Sequence, residues 1–113
     1  MSITRRLLLT AAAIAVAGPA LAQSYPNKPV TVVVPFAPGG TTDIIMRHVA
    51  TRVQEALGQP MIVENKGGAG GAIGANFTKN AAPDGYSLGV GTVSTTATVP
   101  AIDPKAGYNP TTD

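Results

Sequence analysis

Val30-Thr31-Val32-Val33-Val34-Pro35-Phe36-Ala37-Pro38-Gly39-Gly40-Thr41-Thr42-Asp43 is the stretch that decides the fold. Its first five residues form a nearly continuous β-branched run. A run apolar on both faces fits a strand buried inside a parallel sheet better than a half-exposed one. Pro35 to Gly40 breaks that strand, and from Thr42 to Leu57 the pattern becomes helical. Ile45, Val49, Val53 and Leu57 recur every four residues with Met46 and Ala50 beside them, which defines an apolar helix face. Thr41 or Thr42 is the expected N-cap. Asp43 in the first turn suits the positive end of the helix dipole, and Gly58 supplies the stop.

Outward from this unit the alternation repeats. Tyr25 to Pro29 is an extended lead-in with two prolines. Met61 to Glu64 reads as a second strand and Asn65 to Gly71 as a glycine-rich loop. Ala72 to Ala81 reads as a weaker helix carrying Ile73 and Phe77 inward. Asp84-Gly85 makes a turn, Tyr86 to Val90 a third strand, and Thr92 to Thr98 a hydroxyl-rich loop. Strand, helix, strand, helix, strand, with crossovers too long for hairpins, is an α/β chain: a βαβαβ unit on a parallel sheet with right-handed crossovers. All three loops that follow strands then emerge at the carboxyl edge of the sheet, where open α/β proteins bind ligands.

The amino terminus reads as an export signal. Arg5 and Arg6 precede the apolar stretch Leu7 to Ala17, and Ala20-Leu21-Ala22 has the small-x-small form of a cleavage site. Residues 1–22 are therefore expected to leave, with Gln23 first in the mature chain. The apolar stretch is shorter than the roughly 20 residues a membrane-spanning helix needs. Thr4-Arg5-Arg6-Leu7-Leu8-Leu9 also matches a twin-arginine signal, so the Sec and twin-arginine routes both stay open. Arg5 and Arg6 leave with the leader. The remaining six basic and six acidic residues then balance, and no basic stripe points to nucleic acid. The absence of cysteine excludes disulfides and thiolate chemistry.

Three loops carry the candidate chemistry: Phe36 to Asp43, Asn65 to Ala72, and Gly91 to Thr96. The first two lead into helix N-termini, where backbone N–H groups lack intrahelical partners and the dipole is positive. Taken singly, each set of glycines reads as tight turns. Two such loops at equivalent places, beside the hydroxyls of Thr92, Ser94, Thr95 and Thr96, read as a nest for an anion. Gly-Lys never occurs, so there is no Walker A loop, and Gly68-Ala69-Gly70-Gly71-Ala72-Ile73 fails the dinucleotide fingerprint at Ile73. His48, the sole histidine, falls within the first helix, away from the loops. Ser94 lacks a nucleophile elbow, and no His, Asp or Glu cluster has metal-ligand spacing. No catalytic residue, metal or cofactor is expected. For Asp43, capping or bracing fits better than acid–base catalysis, because no partner with a tunable pKa is in view.

At these loops the chain resembles the tripartite tricarboxylate transporter substrate-binding proteins of the Bug/TctC type. The resemblance lies in Pro26-Asn27-Lys28-Pro29, Val33 to Asp43, Arg47, Leu57-Gly58-Gln59, Val63-Glu64-Asn65-Lys66, Gly68-Ala69-Gly70-Gly71, Ile73-Gly74 and Pro83 to Leu88. It implies a periplasmic-binding-protein-like fold whose two lobes close on a ligand. It further implies a periplasmic receptor, monomeric at full length, that delivers a small organic carboxylate to a membrane permease or a sensor. In that family, backbone amides of the loops after the first two strands hold the carboxylate. The matching residues are Ala37, Pro38, Gly39, Gly40, Thr41, Thr42 and Asp43, then Gly68, Ala69, Gly70, Gly71 and Ala72. Thr92 and Ser94 in the third loop would add hydroxyl contacts, although Val99-Pro100 stands where the family has Asn-Pro.

Residues 23–113 are expected to be a partial lobe 1 with the second lobe absent, poorly covered, marginally folded and weak in binding. The competing accounts are a non-functional truncated reading frame, which the DNA downstream would decide, and an α/β hydrolase using a serine in the third loop.

Overall fold

The computed structural model describes residues 24–113; the expected leader and its cleavage point lie outside them. Three strands, β1 (Val30–Val34), β2 (Met61–Asn65) and β3 (Ser87–Gly89), form one sheet in the order β2-β1-β3. Both pairings are parallel, with Val30 opposite Met61, Val34 opposite Asn65, and Val33 opposite Gly89. The expected α/β class and parallel βαβαβ order are therefore what the chain adopts. The all-apolar strand takes the centre: Val30, Val32, Val33 and Val34 are each at most 2% exposed.

Helix α1 (Thr41–Leu57) connects β1 to β2 and packs on that pair, while α2 (Ala72–Lys79) connects β2 to β3 and packs on β3 and β1. The two crossovers run to opposite sides of β1, so right-handed connections put the helices on opposite faces of the sheet. The register agrees: Val33 and Gly89 share a face, and Gly89 abuts Thr78 of α2. The order in which strands are added reverses at β1, with β2 on one side and β3 on the other, which makes the carboxyl ends of β1 and β3 the topological switch point of the sheet.

Both helices turn a different face to the sheet from the one their large apolar residues suggest. In α1, Asp43 and Ala50 are buried and Met46 and Val53 half-buried, whereas Ile45 is 54% exposed and Val49 and Leu57 are also exposed. In α2, Ala72 and Gly74 are buried, while Ile73 (53%) and Phe77 (44%) point outward, contrary to the inward expectation. The reason is close approach. A Cβ on Gly74 would stand 2.8 Å from Pro35 Cα and 2.9 Å from the Lys66 carbonyl oxygen. Only a glycine fits at that distance, so the side of α2 that bears Gly74 meets the sheet, whereas Ala72 lies on another side and packs with Val99 and Ala106. Gly74→Ala is expected to force α2 off β1 at a cost of roughly 1–3 kcal/mol, as other overpacked sites do. A urea midpoint equal to that of the unsubstituted chain would refute the contact.

Boundaries also differ from expectation. The N-cap of α1 is Gly40 rather than a threonine, and no side chain caps it there. Gly58 closes the helix as expected, at φ +67° with its N–H on Gln54 O. The segment after β3 is not a loop throughout: Ser94–Thr98 is a wide helical turn that runs into α3 (Val99–Ile102). A Ser/Thr run has little helix propensity. Here its hydroxyls serve the turn, Thr95 Oγ1 accepting from Thr92 N–H and Thr96 Oγ1 donating to Thr92 O. Pro100 is tolerated because it sits in the first turn of α3.

At the far edge of the sheet the lead-in is clipped to the turn before β3. Tyr25 OH donates to Gly85 O, Lys28 Nζ lies 3.2 Å from Asp84 Oδ2 and over the Tyr86 ring, and Tyr86 OH donates to Asn27 Oδ1. The Tyr86 N–H, and then Lys28, hold the Asp84 carboxyl below the usual carboxylate range.

Candidate functional site

The first loop is built around Asp43. Asp43, the third residue of α1, is 2% exposed, and its side chain folds back on the loop that precedes it. Its Oδ2 accepts the Gly39 N–H at 2.8 Å, so an acidic residue of the first turn satisfies an amide one residue before the N-cap. Arg47, one turn on, donates through Nε to both carboxylate oxygens at 3.1 Å, and its Nη2 lies 3.0 Å from Oδ1. Asn65 Nδ2 completes the set at 2.9 Å from Oδ1. These donors, Arg47 foremost, then the Gly39 amide and Asn65, lower the Asp43 pKa from 3.8 to about 2, against the effect of burial. The Asp43 side chain is thus a brace for the loop, which leaves only its backbone N–H to face a ligand.

The brace narrows what loop 1 offers to a ligand. The Gly39 amide is committed to Asp43, Pro38 has no N–H, and Gly40 N–H approaches Ala37 O at 3.4 Å. The first bond of α1 runs from Ile44 N–H to Gly40 O, so the amides of Thr41, Thr42 and Asp43 have no intrahelical acceptor. Ala37 to Thr41 are exposed at the carboxyl edge and Thr42 is half-buried.

The second loop bends through four consecutive residues at positive φ: Gly68 (129°), Ala69 (48°), Gly70 (64°) and Gly71 (102°). Gly68, Ala69 and Gly70 are exposed, whereas Gly71 and Ala72 are buried and turn their amides to Gly68 O and Ala69 O. Gly71 is needed for space as well as conformation, since a Cβ there would stand 2.5 Å from Thr95 Cγ2.

The three loops meet. A Cβ on Gly67 would lie 3.1 Å from Ala37 N and 3.2 Å from the Phe36 carbonyl carbon, so the backbones of loops 1 and 2 are in direct contact. Ser94 Oγ donates to Gly70 O at 2.6 Å, which ties loop 3 to loop 2. Thr92 is half-buried with its hydroxyl 3.5 Å from that of Thr95. Both candidate hydroxyls, Thr92 and Ser94, are therefore engaged within the protein. His48 is exposed on α1. Among the described residues no group of His, Asp and Glu could hold a metal ion, and no helix is long and apolar enough to cross a membrane.

Asn65 and Arg47 carry the brace; the sequence puts Asn65 at the head of the second candidate loop and both in the family resemblance, but neither among the ligand-contacting residues. The signal available for Asn65 was its place at the end of the second strand, directly before a glycine-rich loop. A cavity of about 520 Å³ lies against α2 and β3, lined by Val33, Thr78, Ser87, Gly89 and Tyr108 among others, and by Gly91, Thr95 and Thr96 of loop 3. It includes no residue of 37–43 or 68–72.

A family model described as tripartite tricarboxylate transporter family receptor matches residues 45–113, and the chain belongs to that family. Proteins of this family are periplasmic receptors that bind substrate. The protein BugT of Bordetella pertussis is 46% identical over 91 residues, 78% of this chain and 28% of BugT. A solved periplasmic transporter is 60% identical with a TM-score of 0.75, covering 77% of this chain and 29% of its own. Rpa4515 of R. palustris, solved with adipate, is 39% identical with a TM-score of 0.76, covering 80% and 30%. MatC of Rhodopseudomonas palustris, with bound malate, is 45% identical with a TM-score of 0.72, covering 76% and 29%. The chain thus spans under a third of the length of these relatives.

Proposed function

We propose that this chain is the first-lobe segment of a periplasmic receptor for a small organic carboxylate, a dicarboxylate above all. The carboxylate rests on backbone amides at the start of α1 and in residues 68–70, and the assembled receptor hands it to a tripartite-type permease or a sensor. Export by the leader at residues 1–22 completes this reading. The observation that carries it is the direct packing of two glycine-rich loops, each entering a helix N-terminus, at the carboxyl edge of β1 and β2. Such helix starts favour anions. The adipate and malate bound by two relatives, 39% and 45% identical, have that charge and size.

A chimera tests this. Residues 24–113 would replace the matching segment of Rpa4515, and titration calorimetry would compare adipate with its uncharged diamide. Adipate is expected to bind at least about tenfold more tightly, a difference of about 1.4 kcal/mol. Equal affinity for the two would sink the carboxylate reading.

A further inference from the structure

We infer that Asn65 is the positioning residue of this site: its side-chain amide, held between the Phe36 carbonyl and the Asp43 carboxylate, sets where loop 1 stands relative to loop 2. The inference rests on the carboxylate reading for its functional meaning, but its geometry is independent of it. Asn65 is the last residue of β2, and the next residue, Lys66, already begins loop 2 with its N–H on Val34 O at 2.8 Å. From that anchored place Nδ2 reaches Phe36 O at 3.1 Å and Asp43 Oδ1 at 2.9 Å, and Oδ1 accepts from Arg47 Nη2 at 3.1 Å. Both amide hydrogens and the amide oxygen are in use. One side chain thus ties the strand that launches loop 2 to the backbone of loop 1 and to the residue that holds the Gly39 amide.

The chemistry required at position 65 is narrow. Two donors must face two acceptors while one acceptor faces a guanidinium, all within reach of a short side chain. Aspartate has the shape but no donor, and it would set a carboxylate against the Phe36 carbonyl and the Asp43 carboxylate. Glutamine has the groups but one methylene too many. Because the loops touch backbone to backbone between Gly67 and residues 36–37, a loop 1 released from Asn65 disturbs loop 2 as well.

The test pairs Asn65→Asp with the exchange variant Asp43→Asn/Asn65→Asp. The exchange keeps an amide–carboxylate pair and the Arg47 ion pair but leaves Phe36 O facing a carboxylate. Amide hydrogen exchange on the 113-residue chain is expected to speed up at least tenfold at the hydrogen-bonded loop amides of Gly39, Lys66 and Gly71 in Asn65→Asp, with Val32, Val33 and Val63 unchanged. In the Rpa4515 chimera, the exchange variant is expected to recover melting midpoint but not adipate affinity. Uniformly faster exchange across the sheet, unaltered loop exchange, or affinity that recovers together with the midpoint would each overturn the assignment. Loop loosening in a chimera whose unsubstituted form binds no carboxylate would instead support the cross-tie and count against the carboxylate reading.

Discussion

Asp43→Ala will lower the melting midpoint of the chain by about 10 °C or more, on the scale at which small domains respond to the loss of hydrogen bonds made by a charged group. The substitution strands the Gly39 N–H, the Arg47 guanidinium and one Asn65 donor at once. The same residue fixes a pH dependence. Its pKa falls from 3.8 to about 2 on folding, chiefly through Arg47 and then the Gly39 amide. A depressed folded-state pKa contributes stability that is fully present above the unfolded value and lost as pH falls through the folded one. Asp43 therefore stabilises the fold above about pH 4, and that contribution fades between pH 4 and pH 2. Asp43→Asn removes the titrating group. The midpoint gap between Asp43→Asn and the unsubstituted chain should stay constant from pH 7 to about pH 4 and close towards pH 2. A gap that persists undiminished at pH 2 would show that the carboxylate charge is not what braces the loop.

The fold was legible at its centre and misleading at its flanks. Val30–Val34 reads as a doubly buried strand because every position is apolar, and the central place of β1 is where that composition is required. Helix α1 carries apolar residues around much of its circumference, so periodicity alone could not select among its stripes. The sheet took the one in which Ala50 lies close and Asp43 reaches loop 1. In α2, hydropathy ranks Ile73 and Phe77 above Gly74, but contact with Pro35 is limited by volume, and volume decided it. The positions of the glycine-rich loops followed from strand and helix order. Which of their amides stay free did not. That depends on a side-chain network, Asp43 with Arg47 and Asn65, whose members lie 22 residues apart in sequence. The third region was obscured for a related reason, since its helical turn is held by hydroxyl bonds that no propensity scale anticipates.

Thr41→Pro separates the amides from everything else in the site. Thr41 is the first residue of α1, the position where proline is best tolerated, because the N–H it lacks has no intrahelical acceptor in any case. The preceding residue must be extended, and Gly40 already is, at φ −73° and ψ 165°. Proline therefore removes one hydrogen-bond donor at the exposed carboxyl edge and little more. A hydrogen bond to a charged group contributes about 1.5–3 kcal/mol, so adipate affinity in the Rpa4515 chimera should fall roughly 10- to 100-fold. The melting midpoint of the unliganded chimera should hold within about 2 °C, the shift that about 1 kcal/mol produces in a protein of that size. Thr41→Ala, which keeps the amide and removes the hydroxyl, should bind within about threefold of the unsubstituted chimera, the range expected of an exposed substitution. If alanine proved as damaging as proline, the hydroxyl would be the contact. If neither variant weakened binding, the start of α1 would not be where the carboxylate rests, and the site would have to be sought at residues 68–70 alone.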